Sequence, residues 1–241
     1  MCRMIAASGR FDVVALTDGL RAMASNDNRP FHHEYSDRGS DFVHADGWGV
    51  AWCEDGRVRV ERGVEPCFED PAFESAARVD TELLILHARR GTGDSGVARE
   101  NTHPFTAVLD GREWVFCHNG TVRDTSSLLA VEGIRPLGGT DSERLFHHVL
   151  AGADPSDIVG SLKASLDGVV DFTCLNSFLL TDRRLAYAAR AEPGTERPRY
   201  YTLWIGSGDE FTVVSSEPLE ALDIEWTPMS EGAALLRADG G

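Results

Sequence analysis

A cysteine stands directly behind the first methionine, in Met1-Cys2-Arg3. If the methionine is removed, a thiol and a free α-amine share one residue. Such a residue holds a nucleophile together with its own general base, because an α-amine of ordinary pKa ~7.7–8.0 is partly neutral near pH 7. Position alone does not separate this from an ordinary residue of a first strand. Four further stretches set polar side chains at predicted strand ends. Asp46-Gly47-Trp48-Gly49 leads into a hairpin, and His87-Ala88-Arg89 ends an apolar strand whose alternation puts His87 and Arg89 on one face. Asn101-Thr102-His103-Pro104-Phe105 leads into a second hairpin. His118-Asn119-Gly120 closes that hairpin, and Gly139-Thr140-Asp141-Ser142-Glu143 follows at a helix start. Each also has an ordinary reading. Thr140 or Asp141 ahead of Glu143 matches helix capping, and Asn119-Gly120 matches a turn. Arg89 suits a strand-end charge, His87 a hydrogen-bonded core imidazole, and Trp48 a tight strand entry.

The elements that must position these residues follow from periodicity and turn chemistry. Residues 3–8 read as a buried strand, and Asp12 caps an amphipathic helix to residue 24 with Val13, Leu16, Leu20 and Met23 on one face. Residues 26–40 read as a loop. Two hairpins turn on Asp55-Gly56 and Asp110-Gly111, pairing 49–54 with 57–62 and 105–109 with 113–118. Between them, Asp70-Pro71 opens a short helix to about residue 79, and 82–89 is the clearest buried strand. The loop 91–96 is rich in glycine. Helices are expected over 124–131, 141–150 and 156–166, then strands over 174–181, 185–191, 200–206, 211–215 and 233–236. Residues 193–198 and the Gly240-Gly241 tail read as loop. Strand pairs at both ends with a helical block between them suggest two packed antiparallel sheets with helices outside, in one domain over 1–241.

Composition narrows the function classes. The 241 residues can bury a sizeable core. A net charge of −16 with no basic stripe argues against nucleic acid. The longest aliphatic run, Leu83-Leu84-Ile85-Leu86, is far too short for a membrane span, and no signal peptide is visible, so a cytoplasmic protein is expected. Five cysteines, odd in number and without a C-x-x-C pair, argue for free thiols rather than a disulfide framework or zinc ribbon. The tandem pairs His32/His33 and His147/His148 are poor chelators of one metal, because adjacent side chains diverge. Cys53, Cys67, Cys117 and Cys174 read as small buried apolar residues.

In this order, Met1-Cys2, D-G-W-G, H-A-R, N-T-H-P-F, H-N-G and G-T-D-S-E resemble the class II glutamine amidotransferases, N-terminal-nucleophile hydrolases that begin with a processed cysteine. The resemblance spans residues 1 to about 150, with a weaker echo at Ser215-Ser216-Glu217-Pro218-Leu219. It is similar in kind to the small stand-alone members that carry only the glutaminase domain. The resemblance implies an α+β fold, a four-layer α/β/β/α sandwich of two antiparallel sheets flanked by helices. It implies that Cys2 attacks the γ-carboxamide carbon of glutamine, with its own α-amine moving the proton. Asn119 and the Gly120 N–H would meet the tetrahedral oxyanion. Arg89 would clamp the α-carboxylate and Asp141 the α-ammonium. His103 would stand at the pocket edge, with Trp48 and His87 as supports. A γ-glutamyl thioester on Cys2 would be hydrolysed to glutamate, with no metal or organic cofactor.

About 90 residues follow the last motif, which leaves no evident room for a synthase domain. The chain is therefore expected to act as a hydrolase of glutamine or a simple γ-glutamyl amide, or to supply ammonia to a separate synthase; a homodimer is compatible with either. The ergothioneine-type γ-glutamyl hydrolases lack the H-A-R and T-H-P elements present here. Two readings of other classes stay open. One is a glutamine-binding domain without turnover. The other is a zinc protein using Cys117, His118, His87 and His103.

Overall fold

A computed structural model describes residues 1–28, 31–92, 96–192, 194, 198–229 and 231–236. The chain opens with strand β1 (Cys2–Gly9), every residue of which is buried. Helix α1 (Val13–Ala24) follows, and the Asp12 side chain accepts from the N–H groups of Val14 and Ala15 as its cap. Strands β2 (Trp48–Glu54) and β3 (Arg57–Gly63) form the first hairpin on Asp55-Gly56. Both turn residues have positive φ, which the Asp-Gly pair tolerates. Helix α2 (Pro71–Ala77), capped by Asp70, leads to β4 (Leu83–Arg89). The second hairpin joins β5 (Phe105–Leu109) to β6 (Arg112–Asn119).

Helices α3 (Asp141–Ala151) and α4 (Ile158–Asp167) come next. The remainder is β7 (Asn176–Thr181), β8 (Arg184–Ala189), β9 (Leu203–Ser207), β10 (Phe211–Ser215), β11 (Trp226–Met229) and β12 (Gly232–Leu236). Among the described residues, one sheet has seven strands in the order β11-β9-β10-β1-β4-β2-β3; the other has five, β12-β8-β7-β6-β5. All the pairings between them are antiparallel.

Three apolar clusters make this a four-layer sandwich. Met4, Ala6, Ala51 and Ile85 of the seven-stranded sheet meet Val115, Phe178, Leu180 and Leu185 of the other. On the outer face of the seven-stranded sheet, Leu16, Leu20 and Met23 of α1 and Phe73 of α2 cover Ile5, Val50, Leu84 and Leu86. On the outer face of the five-stranded sheet, Leu145 and Val149 of α3 and Leu162 and Leu166 of α4 cover Trp114, Phe116, Leu179 and Ala186. Covering both faces of each sheet removes the need for polar alternation in the central strands, which explains the continuous apolar reading of β4. The expected α+β class and α/β/β/α layering are therefore present. Among the described residues, no helix is long and apolar enough to cross a membrane.

Besides short 3-10 turns at Ser36–Phe42 and Arg199–Tyr201, where loop and strand were expected, two differences stand out. Residues 124–131 are not helical. The Asp124 side chain accepts from Ser126 N–H to make a local turn, and the Leu129 N–H is taken by His148 Nδ1, so the backbone donors go to side chains instead of a helix. Strand β11 lies where no strand was expected, and Pro228 is within it. It is the edge strand of its sheet, where a residue without an N–H is tolerated. Residues 93–95, 193, 195–197 and 240–241, parts of the expected loops and tail, lie outside the described residues.

Candidate active site

The chain direction of three strands brings the candidates to one rim. β1 begins where the antiparallel β4 ends, so Cys2 pairs directly with Arg89. β6 of the facing sheet ends at Asn119 on the same rim. Alternation turns Cys2 and Met4 of β1, Ile85 and His87 of β4, and Cys117 and Asn119 of β6 toward the space between the sheets. The link between the sheets is direct: the Cys2 backbone N–H donates to Asn119 Oδ1 at 2.7 Å. Asn119 is fully buried, and its Nδ2 has no hydrogen-bond partner. The acceptor half of the carboxamide is thus fixed by Cys2, and the donor half has no partner among the described residues.

Gly120 has φ +151°, and a Cβ there would lie 1.7 Å from the Cys174 carbonyl oxygen. Glycine is required because the backbone of another segment passes against it. The same Cys174 carbonyl accepts from His118 Nε2 at 3.1 Å, and His118 Nδ1 meets Ser142 Oγ at 2.9 Å. Burial holds the His118 imidazole down to about pKa 4, against the opposing pull of the Asp141 carboxylate.

Arg89 is buried, with Nη1 donating to the Asp46 carbonyl at 3.3 Å. Asp46 in turn accepts the Gly91 N–H on Oδ2 at 2.7 Å, which closes the turn after β4. A Cβ on Gly91 would stand 3.1 Å from Arg89 Nη2, so the glycine keeps the guanidinium uncrowded.

Asp141 sits at the first position of α3, but the cap is Thr140, whose hydroxyl accepts from Glu143 N–H at 3.1 Å. Asp141 Oδ2 accepts the Val122 N–H at 2.7 Å, tying α3 to the turn just past Gly120. The capping reading of the G-T-D-S-E stretch therefore holds for Thr140, and Asp141 serves the turn instead. Glu143 is buried and accepts from Leu137 N–H and Gly138 N–H, both at 2.8 Å, while Gly139 N–H donates to Asn101 Oδ1 at 3.0 Å. Those bonds fasten the loop before α3 to the N-T-H-P-F segment.

His87 and His103 lie together with ring centroids 4.3 Å apart. Both are buried; the His103 nitrogens have no hydrogen-bond partner among the described residues, and His87 has only the His118 backbone close by. Burial pushes the His87 imidazole down to about pKa 3, outweighing the nearby His118 backbone, and burial likewise drives His103 well below its ordinary value. Both rings are neutral near pH 7. His103 is as buried as Cys2 and Arg89, and its ring shares a cluster with His87 and the Cys2 thiol.

Trp48 lies elsewhere. Its ring belongs to the outer core beneath the helices, packs edge-on against Phe73 at 5.3 Å, and its Nε1–H donates to Asp70 Oδ2 at 2.7 Å. It supports α2 and the sheet from the side opposite Cys2. The contribution of D-G-W-G to the site comes from its glycines. A Cβ on Gly49 would lie 2.0 Å from the His103 carbonyl oxygen, and one on Gly47 would lie 2.6 Å from the Gly63 carbonyl oxygen. The N-T-H-P-F segment can pack onto β2 only because Gly49 lacks a side chain.

The four-residue zinc reading is not supported as a set. His118 is engaged at both nitrogens on the helix side of β6, whereas Cys117 lies in the core between the sheets, where burial raises its thiol pKa well above the ordinary value. The tandem histidines also diverge: His148 bonds Ser165 and Leu129, while His147 packs against Phe146.

Sequence reasoning missed Arg3 and gave Glu217 no role. Arg3 is fully buried on the other face of β1, with Nη2 2.9 Å from Glu217 Oε1 and Nη1 donating to the Tyr200 carbonyl at 2.8 Å. Its guanidinium lies 3.7 Å from the centre of the Tyr200 ring. A charged residue beside Cys2 in an otherwise apolar strand was the available signal.

Cys2 itself is 6% exposed beneath Met1, whose α-amine donates to the Arg90 carbonyl at 2.7 Å. A thiol, an unpartnered carboxamide donor and a guanidinium on one rim can together bind and attack a polarised carbonyl that carries a carboxylate.

A family model described as class-II glutamine amidotransferases matches residues 6–171. The chain is 36% identical over 105 residues to YafJ of Escherichia coli K12, provisionally named a glutamine amidotransferase, covering 43% of this chain and 40% of that one. It is 33% identical over 132 residues to an uncharacterized protein of Methanocaldococcus jannaschii, covering 53% and 36%. The chain thus spans well under half the length of these two relatives. A Haemophilus influenzae protein, also provisionally named a glutamine amidotransferase, is 26% identical over 223 residues, covering 82% and 74%. Among solved structures, an allosteric regulatory enzyme of purine biosynthesis superposes with a TM-score of 0.72 at 18% identity, covering 97% of this chain and 46% of that one. A class-II glutamine aminotransferase domain protein from Silicibacter pomeroyi superposes at 0.61 with 21% identity and full coverage of both chains. At these identities the structural likeness concerns the fold.

Proposed function

Because the chain belongs to the class-II glutamine amidotransferases, we propose that it hydrolyses the γ-carboxamide of glutamine or a related γ-glutamyl amide on Cys2. The observation that carries this reading is the Asn119 carboxamide, bonded to Cys2 N–H through Oδ1 and left with a buried, unpartnered Nδ2. Buried donors are seldom left without a partner, so a ligand oxygen is the natural complement.

The reaction starts once Met1 is removed and the Cys2 α-amine is free. That amine takes the thiol proton, and Sγ attacks the γ-carbonyl carbon. Negative charge builds on the carbonyl oxygen, where Asn119 Nδ2 and the Gly120 N–H donate to it. One such donor is worth about 3–4 kcal/mol of barrier. The α-amine then passes the proton to the leaving nitrogen, and the C–N bond breaks to release ammonia or an amine. A γ-glutamyl thioester remains on Cys2, and water converts it to glutamate and free thiol. The Arg89 fork suits the substrate α-carboxylate. Asp141, held by Val122 through one oxygen, offers the other to the α-ammonium. His87 and His103 position Cys2 from below. No cofactor enters any of these steps.

On this reading residues 1–241 form one glutaminase-type domain acting in the cytoplasm. A second reading is ammonia supply to a separate synthase. Ammonia release without an added partner separates the two.

The test uses one sample. Intact mass reports whether Met1 is absent, and a diazo-ketone analogue of glutamine should add a single adduct. Peptide mapping of that adduct to any cysteine other than Cys2, or retention of Met1 in fully active protein, would overturn the mechanism.

A further inference from the structure

The imidazoles beneath Cys2 are in an unusual state for a protein interior. Leaving a buried polar group without a partner costs about 1–3 kcal/mol, and here both nitrogens of His103 lack one among the described residues, while the touching His87 ring has only the His118 backbone beside it. Cys2 Sγ completes the group: it, one ring nitrogen of His87 and one of His103 all lie within 4.8 Å of one another. Among the described residues this is the one cluster of three His, Cys, Asp or Glu side chains so arranged.

The donor set selects its ligand. Two imidazole nitrogens and one thiolate suit zinc and its neighbours, and offer nothing to calcium or magnesium, which require oxygen. A tetrahedral ion with bonds of about 2.0 Å to nitrogen and 2.3 Å to sulfur spaces its ligand atoms about 3.3–3.6 Å apart. Closing the present cluster to that spacing takes side-chain movement on the order of 1 Å. Three protein ligands leave a fourth position for water.

We propose that Cys2, His87 and His103 bind a divalent cation of the zinc class, and that the bound ion masks the Cys2 thiol. Binding forms one metal–sulfur and two metal–nitrogen bonds and releases the thiol proton to solvent; nothing is oxidised or reduced. The His pair then has a use beyond positioning Cys2. The ion competes with the γ-carbonyl carbon for the same sulfur lone pair, so glutamine hydrolysis requires its departure. The masking, though not the binding, rests on Cys2 being the nucleophile.

The experiment titrates cobalt(II) into chelator-stripped protein. One equivalent per chain should give a thiolate-to-cobalt charge-transfer absorption, which zinc then displaces. Cys2→Ser should abolish that band, and His87→Gln and His103→Gln should each weaken cobalt binding by at least ~10-fold, the loss that outer partners of a metal site alone produce. Without any substitution, one equivalent of zinc should protect Cys2 from iodoacetamide in a peptide map and stop glutamine hydrolysis, and chelator should restore both. A band that persists in Cys2→Ser, no band at all, or activity abolished by chelator would overturn the proposal. If the band and the protection appear but metal-free protein hydrolyses no γ-glutamyl amide, the metal site stands and the amidase reading fails. If hydrolysis proceeds and metal changes neither readout, the metal site alone fails.

Discussion

Cys2 and Asn119 are 117 residues apart in sequence and lie on different sheets, yet the Cys2 N–H and Asn119 Oδ1 are joined at 2.7 Å. This bond fixes which way the Asn119 amide faces. Because Oδ1 is held by Cys2, Nδ2 must point elsewhere, and it finds no protein acceptor.

Asn119→Ala removes both halves of the carboxamide, while Asn119→Asp keeps the acceptor and replaces the donor with a second oxygen. Each should lower kcat for glutamine by ~10²–10³-fold with little change in KM, since the donor acts on charge that develops only in the transition state. Asp should lose at least as much as Ala, because a carboxylate repels the oxyanion. Steady-state kinetics with kcat within a few-fold of wild type would remove Asn119 from this role.

Arg89 gives a test on the substrate's other end. Arg89→Lys exchanges a fork for a point charge, and losing a charged hydrogen bond of about 1.5–3 kcal/mol corresponds to ~10–100-fold in kcat/KM. Gly91→Ala probes the same group without touching it, since the new methyl would stand 3.1–3.4 Å from the guanidinium. It should raise KM by a smaller factor and leave kcat in place. Equal kcat/KM for wild type and Arg89→Lys would assign the carboxylate to another residue.

These residues were legible in the sequence to different depths. The Asp12 and Asp70 caps, the two Asp-Gly hairpins and the β4 strand rest on local chemistry, and the structure reproduces them within a residue or two at most ends. Motif order brought Cys2, Arg89 and Asn119 to notice, and antiparallel pairing gathers them on one rim. Trp48 was misread because it stands between two glycines that do serve the site; strand alternation alone would have put it with Val50 and Trp52, on the helix side. The His87–His103 contact, the 124–131 turn held by His148, and the Arg3–Glu217 pair depend on segments far apart in sequence. No local spacing encodes them.

Arg3 and Glu217 form a buried pair at 2.9 Å, and Glu217 also accepts from Asn28 Nδ2 at 2.6 Å and faces His33 Nε2 at 3.4 Å. Removing one partner of such a pair leaves the other charge uncompensated in the interior. Glu217→Ala should therefore cost about 3–5 kcal/mol, whereas the joint Arg3→Met/Glu217→Leu change should cost less than the single one. Urea unfolding of the three proteins checks this, and a single variant as stable as wild type would deny the pair any structural weight.

The buried histidines set the acid side of the stability profile. His44, His87, His103 and His118 all have depressed pKa values, with burial as the largest cause; His87 is held at about 3 and His118 at about 4. In the unfolded chain each returns to an ordinary value near 6.5. Above that pH all four are neutral in both states and contribute no pH dependence. As pH falls below ~6.5 the unfolded chain takes up protons that the folded chain refuses, so stability declines down to the folded pKa values. The urea midpoint should therefore be level from pH 8 to 7 and fall steeply between roughly pH 6.5 and 4. His44→Phe tests one member in isolation: it gives up the bond from His44 Nε2 to Tyr200 Oη at 2.7 Å, lowering stability at pH 7, but should flatten the acid slope. A midpoint that holds constant to pH 4.5 would mean that these imidazoles reach solvent and protons.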